Sequence, residues 1–259
     1  MSNIELPFGE AAEVTGPALS RRDLLATTAG VVLAGSLAGN AATALAAGTG
    51  AKPERRCKES LREVLDFLVT EEQLGVTLVS AAIKNAPGTP SEAFLPVLRN
   101  GVTTEYFHVE ALKEVGGKPL TTKYWFPDAA LGNGGIGVFE TLEVIETIEI
   151  SLYLIGVSVF ARRGDDFGAR LCAEAMGTEA VHRALVRFAQ SELGKEIGAP
   201  NDVGFENFDW PTLGAVREAL EALGIGYGVE SSQPGRFYDY PGDPLANGLG
   251  TPVNHTKPA

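Results

Sequence analysis

The sequence predicts an all-α fold: four long helices packed as a bundle, one long crossover between the second and third, and a C-terminal helix followed by an extended tail. Three observations point to it. Apolar residues recur at helical spacing over four stretches, each much longer than an average helix. The connections between those stretches run short, long, short. With 44% hydrophobic and 21% charged residues in a chain of 259, there is enough apolar surface for one ordinary domain or two small ones.

The first helix is expected over Lys58–Lys84, with Leu61, Leu65, Leu68, Val79 and Ile83 on one face. A turn over Asn85–Pro90 follows, and Ser91 with Glu92 reads as the start of a second helix that reaches Val115 and stops at Gly116-Gly117. The stretch Lys118–Gly137 carries Pro119 and Pro127 and, counted with Gly116 and Gly117, six glycines, so it reads as an irregular connection. Helices of this length span about 39 Å. Twenty extended residues reach up to about 66 Å, so the connection can run the length of a bundle and make the second and third helices parallel neighbours. A third helix is expected over Val138–Arg163 and, after Gly164-Asp165-Asp166, a fourth over Phe167–Leu193. Beyond it the composition shifts to Gly, Pro, Asn and aromatics, with one amphipathic stretch, Thr212–Leu223, as a fifth helix. The tail from Gly226 to Ala259 reads as an extended segment packed over the bundle or at the subunit contact of a homo-oligomer.

Composition narrows the functional classes. A net charge of −12 and a pI near 4.8 leave no basic surface for phosphates, so no nucleic-acid partner is expected. Cys57 and Cys172, the two cysteines, make neither a disulfide framework nor a thiolate metal site.

At the N-terminus, Ser20-Arg21-Arg22-Asp23-Leu24-Leu25 precedes an apolar, small-residue stretch from Leu24 to Ala47 that contains Ala44-Leu45-Ala46. The segment resembles a bacterial twin-arginine export signal with an A-x-A peptidase site. A transmembrane anchor fits the length, but the stretch is rich in Ala, Gly, Ser and Thr, which favours cleavage and no stable membrane anchor afterwards. The resemblance implies the twin-arginine machinery as a partner and a periplasmic or extracellular location. It also implies export of the folded protein, a route suited to capturing a metal before export. The domain reading is a signal over 1–46, a linker over 47–57, a helical bundle over 58–194 and an extension over 195–259.

Two of the three histidines share one local pattern, Glu105-Tyr106-Phe107-His108 and Glu179-Ala180-Val181-His182. Positions i and i+3 share a helix face about 5–6 Å apart, so each pair can converge on one ion. Glu72 continues the apolar stripe of the first helix and Glu146 that of the third. Buried carboxylates cost several kcal/mol unless a cation or hydrogen-bond partner compensates. Glu72 to Glu105 is 33 residues and Glu146 to Glu179 is again 33, so the chain reads as two copies of a Glu helix followed by a Glu-x-x-His helix. This set matches the dinuclear carboxylate proteins.

These segments, from about Leu61 to Leu193, resemble the ferritin-like superfamily, in particular the exported ferritin-like group that includes desiccation-related plant proteins. The resemblance implies a ferritin-like four-helix bundle holding two iron or manganese ions on Glu72, Glu105, His108, Glu146, Glu179 and His182, with Glu105 and Glu146 as candidates to bridge. Glu149 departs from the pattern. It reads equally as an additional ligand or catalytic proton relay and as a buried acid hydrogen-bonded to a ligand. Glu71, Glu143 and Glu174 read as solvated surface acids, Tyr106 and Tyr153 as core aromatics, and His255 as exposed. The ligand chemistry suits oxidation with dioxygen or hydrogen peroxide as the small-molecule partner, in a ferroxidase-like or peroxide-consuming oxidoreductase. The alternatives are a non-enzymatic, metal-stabilised stress protein and an oxygen-dependent oxidase of an organic substrate.

Overall fold

A computed structural model describes residues 59–259. The signal, the linker and Cys57 lie outside them. The described chain is mostly helical, with a small sheet. Helix α1 (Leu61–Asn85) starts at a capping box: the Ser60 hydroxyl accepts from Glu63 N at 3.2 Å, and Ser60 N donates to the Glu63 carboxylate at 2.8 Å. Such a box contributes about 1 kcal/mol and fixes the start two to three residues later than expected. Pro90–Phe94 forms a 3-10 turn, so the Ser91-Glu92 start belongs to this turn, and α2 (Leu95–Glu114) begins with Pro96 in its first turn. Helix α3 spans Gly137–Arg162. Helix α4 (Asp166–Glu192) is capped by Asp165, whose carboxylate accepts from Gly168 N at 2.9 Å. The short α5 (Leu213–Ala222) is capped by Thr212.

The pairs α1–α2 and α3–α4 form hairpins, α3 packs on α1, and α2 meets α4. The long connection therefore does not make α2 and α3 close neighbours; α3 takes its main contacts from α1 and α4. Helix α3 is long and apolar enough to cross a membrane, with a mean hydropathy of 1.8 over 18 residues, but 67% of that window is buried among the other elements, as in a core helix. Close approach of α3 and α4 depends on Gly156, where an added Cβ would stand 2.7 Å from Cys172 Sγ. Gly156→Ala is expected to destabilise the fold by about 1–3 kcal/mol through overpacking, measured by urea unfolding at constant m-value.

The connection expected to be irregular contains a strand, which corrects the all-α reading. Strands β1 (Lys123–Pro127), β2 (Gly226–Tyr227) and β3 (Gly235–Asp239) form an antiparallel sheet in the order β2-β1-β3. In β1, Tyr124 and Phe126 are buried, and the Tyr124 hydroxyl donates to Thr70 O of α1 at 3.0 Å. The tail therefore pairs with the crossover and covers a second face of α1, which is buried almost continuously from Val64 to Ile83. Further on, Arg99 on α2 holds the tail by donating to the Gly248 and Leu249 carbonyls at 2.9 and 3.0 Å. Between α4 and α5, Glu206 forms a two-point ion pair with the buried Arg183, at 2.8 and 3.0 Å.

Candidate metal centre

Glu72 on α1, Glu105 and His108 on α2, Glu146 on α3, and Glu179 and His182 on α4 meet inside the helices. The i, i+3 spacing turns both members of each Glu-x-x-His pair inward. The carboxylates are nearly inaccessible, while the His108 side chain retains 15% exposure. The atoms fall into two groups, each with potential ligand atoms within 4.8 Å of one another: Glu72, Glu105, His108 and Glu179, and Glu105, Glu146, Glu179 and His182. Glu105 and Glu179 belong to both. Glu146 belongs only to the second, whereas Glu179, like Glu105, has an atom in each. Its two oxygens divide between the histidines, with Oε1 2.7 Å from His108 Nδ1 and Oε2 2.9 Å from His182 Nδ1.

The polar atoms crowd together, yet several lack a hydrogen-bond partner. Glu72 Oε2, Glu105 Oε2, His108 Nδ1, Glu146 Oε2 and Glu179 Oε1 are all buried without a hydrogen-bond partner, His108 Nδ1 despite its 2.7 Å separation from Glu179. So many orphaned acceptors around two imidazoles are what a cation site needs, and are costly otherwise. Local contacts orient the set. Thr104 donates to Gly101 O at 2.7 Å, which leaves its oxygen to accept from His182 Nε2 at 2.8 Å and turns Nδ1 toward the carboxylates, 2.7 Å from Glu105 and 2.9 Å from Glu179. Tyr153, read from sequence as core, donates to Glu72 and lies edge-on to His108. Gly75 leaves room for Glu105, whose Oε2 would lie 3.1 Å from a Cβ there.

Electrostatics follow from burial. Desolvation pushes Glu72 and Glu146 well above the usual carboxylate range, against the pull of His108 and His182 respectively. Glu179 is also opposed by desolvation, but two imidazoles outweigh it and hold the group low. Burial would lower both histidines; instead Glu72 and Glu179 raise His108, and Glu105 and Glu179 raise His182.

Glu149 lies one turn beyond Glu146, buried, with Oε1 unpartnered, and is in neither converging group. Its carboxyl is pushed up first by desolvation and then by Glu105, Glu146, Glu179 and Glu72. Glu71 corrects the surface reading: it is fully buried and accepts from the Tyr227 hydroxyl at 2.6 Å. Glu143 is half-buried, accepting from Gln190 at 2.8 Å, whereas Glu174 and His255 are exposed. No family model, curated protein or solved structure matches this chain.

Proposed function

We propose that the chain is an exported ferritin-like protein that holds two iron or manganese ions and acts as an oxidoreductase on dioxygen or hydrogen peroxide. The observation that carries this reading is the sharing of Glu105 and Glu179 between two Glu/His groups, with the two Glu179 oxygens facing different imidazoles. Glu72 and His108 would complete one ion's ligands, and Glu146 and His182 the other's. An oxygen-rich donor set with two imidazoles and no thiolate suits iron or manganese. Two such ions supply a two-electron exchange with dioxygen or peroxide.

The protein's own groups set the conditions for that exchange. Tyr153 holds Glu72 in place, Thr104 fixes the His182 ring, and the surrounding apolar side chains keep the carboxylates buried. Glu149, buried beside the carboxylates with one free oxygen, is the residue positioned to hold a proton near the reacting oxygen atoms. Elemental analysis of protein exported by its native host is expected to give two iron or manganese per chain. Metal-dependent peroxide or ferrous-ion turnover should fall at least 100-fold in Glu105→Ala. Fewer than one ion per chain in the wild type, or equal turnover in the variant, would overturn the reading.

A further inference from the structure

The two sides of the metal centre open differently. Beside His182, an apolar cleft between Val79, Leu98, Leu142 and Val186 has about 30 Å³, room for one water-sized molecule. Beside His108, a cavity of about 200 Å³ extends outward from the His108 and Tyr153 rings. A dry cavity of about 150 Å³ holds a benzene molecule, so the larger one fits a six-membered ring with substituents and greatly exceeds what dioxygen or peroxide needs.

Its lining narrows the class of ligand. Phe107, Leu171 and Ala175 give it apolar sides, the Thr178 hydroxyl gives it a polar point, and the exposed Glu174, Asn254, His255 and Lys257 make its outer rim polar. The outer wall is the C-terminal segment Val253–Pro258, anchored where Ala259 N donates to the Glu174 carboxylate at 3.0 Å. Apolar sides against the inner rings with hydrogen-bonding groups toward the rim suit a ring with polar edges.

Resting on the proposed oxidoreductase reading, we propose that this cavity binds a small dihydroxy-aromatic reductant of the hydroquinone class, and that the C-terminal segment completes the site. The overall reaction balances as a two-electron exchange. Both O–H bonds of the hydroquinone break, and its two electrons and two protons pass to hydrogen peroxide. The O–O bond breaks, each oxygen takes up one proton, and one quinone and two waters form.

The test separates this site from the metal chemistry. Hydroquinone and its saturated counterpart, 1,4-cyclohexanediol, are titrated by NMR into the full mature chain after metal removal. The same titration is repeated on Thr178→Trp, which fills the cavity, and on a chain lacking residues 253–259, which opens it. Thermal melting checks that each variant is folded. Hydroquinone is expected to bind at least tenfold more tightly than cyclohexanediol, and both variants to lose at least tenfold. In the metal-loaded wild type, one quinone should form per peroxide consumed. No hydroquinone binding, equal binding of the two ring compounds, or binding untouched in both folded variants would overturn the proposal, even where metal-dependent peroxide loss stands. Saturable binding without metal uptake would instead leave this cavity in place and sink the dinuclear reading.

Discussion

Stripping the ions from the mature protein with a chelator is expected to lower its melting temperature by about 10 °C, and manganese(II) or iron(II) to restore it. A ligand at a thousand times its dissociation constant stabilises the folded state by about 4 kcal/mol. For a domain of 150–250 residues each kcal/mol shifts the melting temperature by about 2–4 °C, which gives about 8–16 °C here. Metal removal should leave the fold intact, because Glu179, held low, faces both imidazoles, while Glu72 and Glu146, pushed up by burial, can take up protons in place of the ions. The orphaned oxygens of Glu72, Glu105 and Glu146 would then again lack partners. In Glu179→Ala, which removes a group common to both sites, added metal should move the transition by less than about 3 °C. Calorimetry with and without chelator measures both; identical melting of loaded and stripped wild type would count against ions at this centre.

The helices and the inward carboxylates were legible because each signal is local. A Glu-x-x-His pair declares its face through i, i+3 spacing, and Gly116-Gly117 or Gly164-Asp165-Asp166 marks a break between helices in a few residues. The sheet was not legible, since β1 finds its partners about 100 residues downstream and pairing across that distance leaves no trace in either segment alone. The alternation of the buried Tyr124 and Phe126 marks a strand but not the segment it pairs with. Missing the sheet led directly to misplacing Glu71. A helix buried on one stripe exposes that position, but α1 is covered on a second side by the strand that carries Tyr227. Tyr153 is a core aromatic, as its position on the apolar stripe of α3 indicates, but only the placement of α1 brings Glu72 within reach of its hydroxyl.

Glu71 yields the second large effect, a loss of stability as pH rises. Its carboxyl is pushed up to about 8 by desolvation, opposed by the Tyr227 hydrogen bond and the charge of Arg217. In the unfolded chain it titrates near 4.5. Between these values the folded state holds a proton that the unfolded state has released, so stability attributable to this group is full below pH 4.5 and declines toward pH 8. The slope approaches about 1.4 kcal/mol per pH unit, and the whole window amounts to at most about 5 kcal/mol. Glu71→Gln removes the titration and keeps an oxygen to accept from Tyr227. Urea unfolding at pH 5, 6, 7 and 8 should therefore show the two proteins close together at pH 5 and the variant ahead by several kcal/mol at pH 8. Comparing the pair cancels the titration of the metal-centre carboxyls, which both proteins share. Parallel curves across the range would mean that Glu71 ionises at an ordinary pH and that water reaches it beneath the sheet.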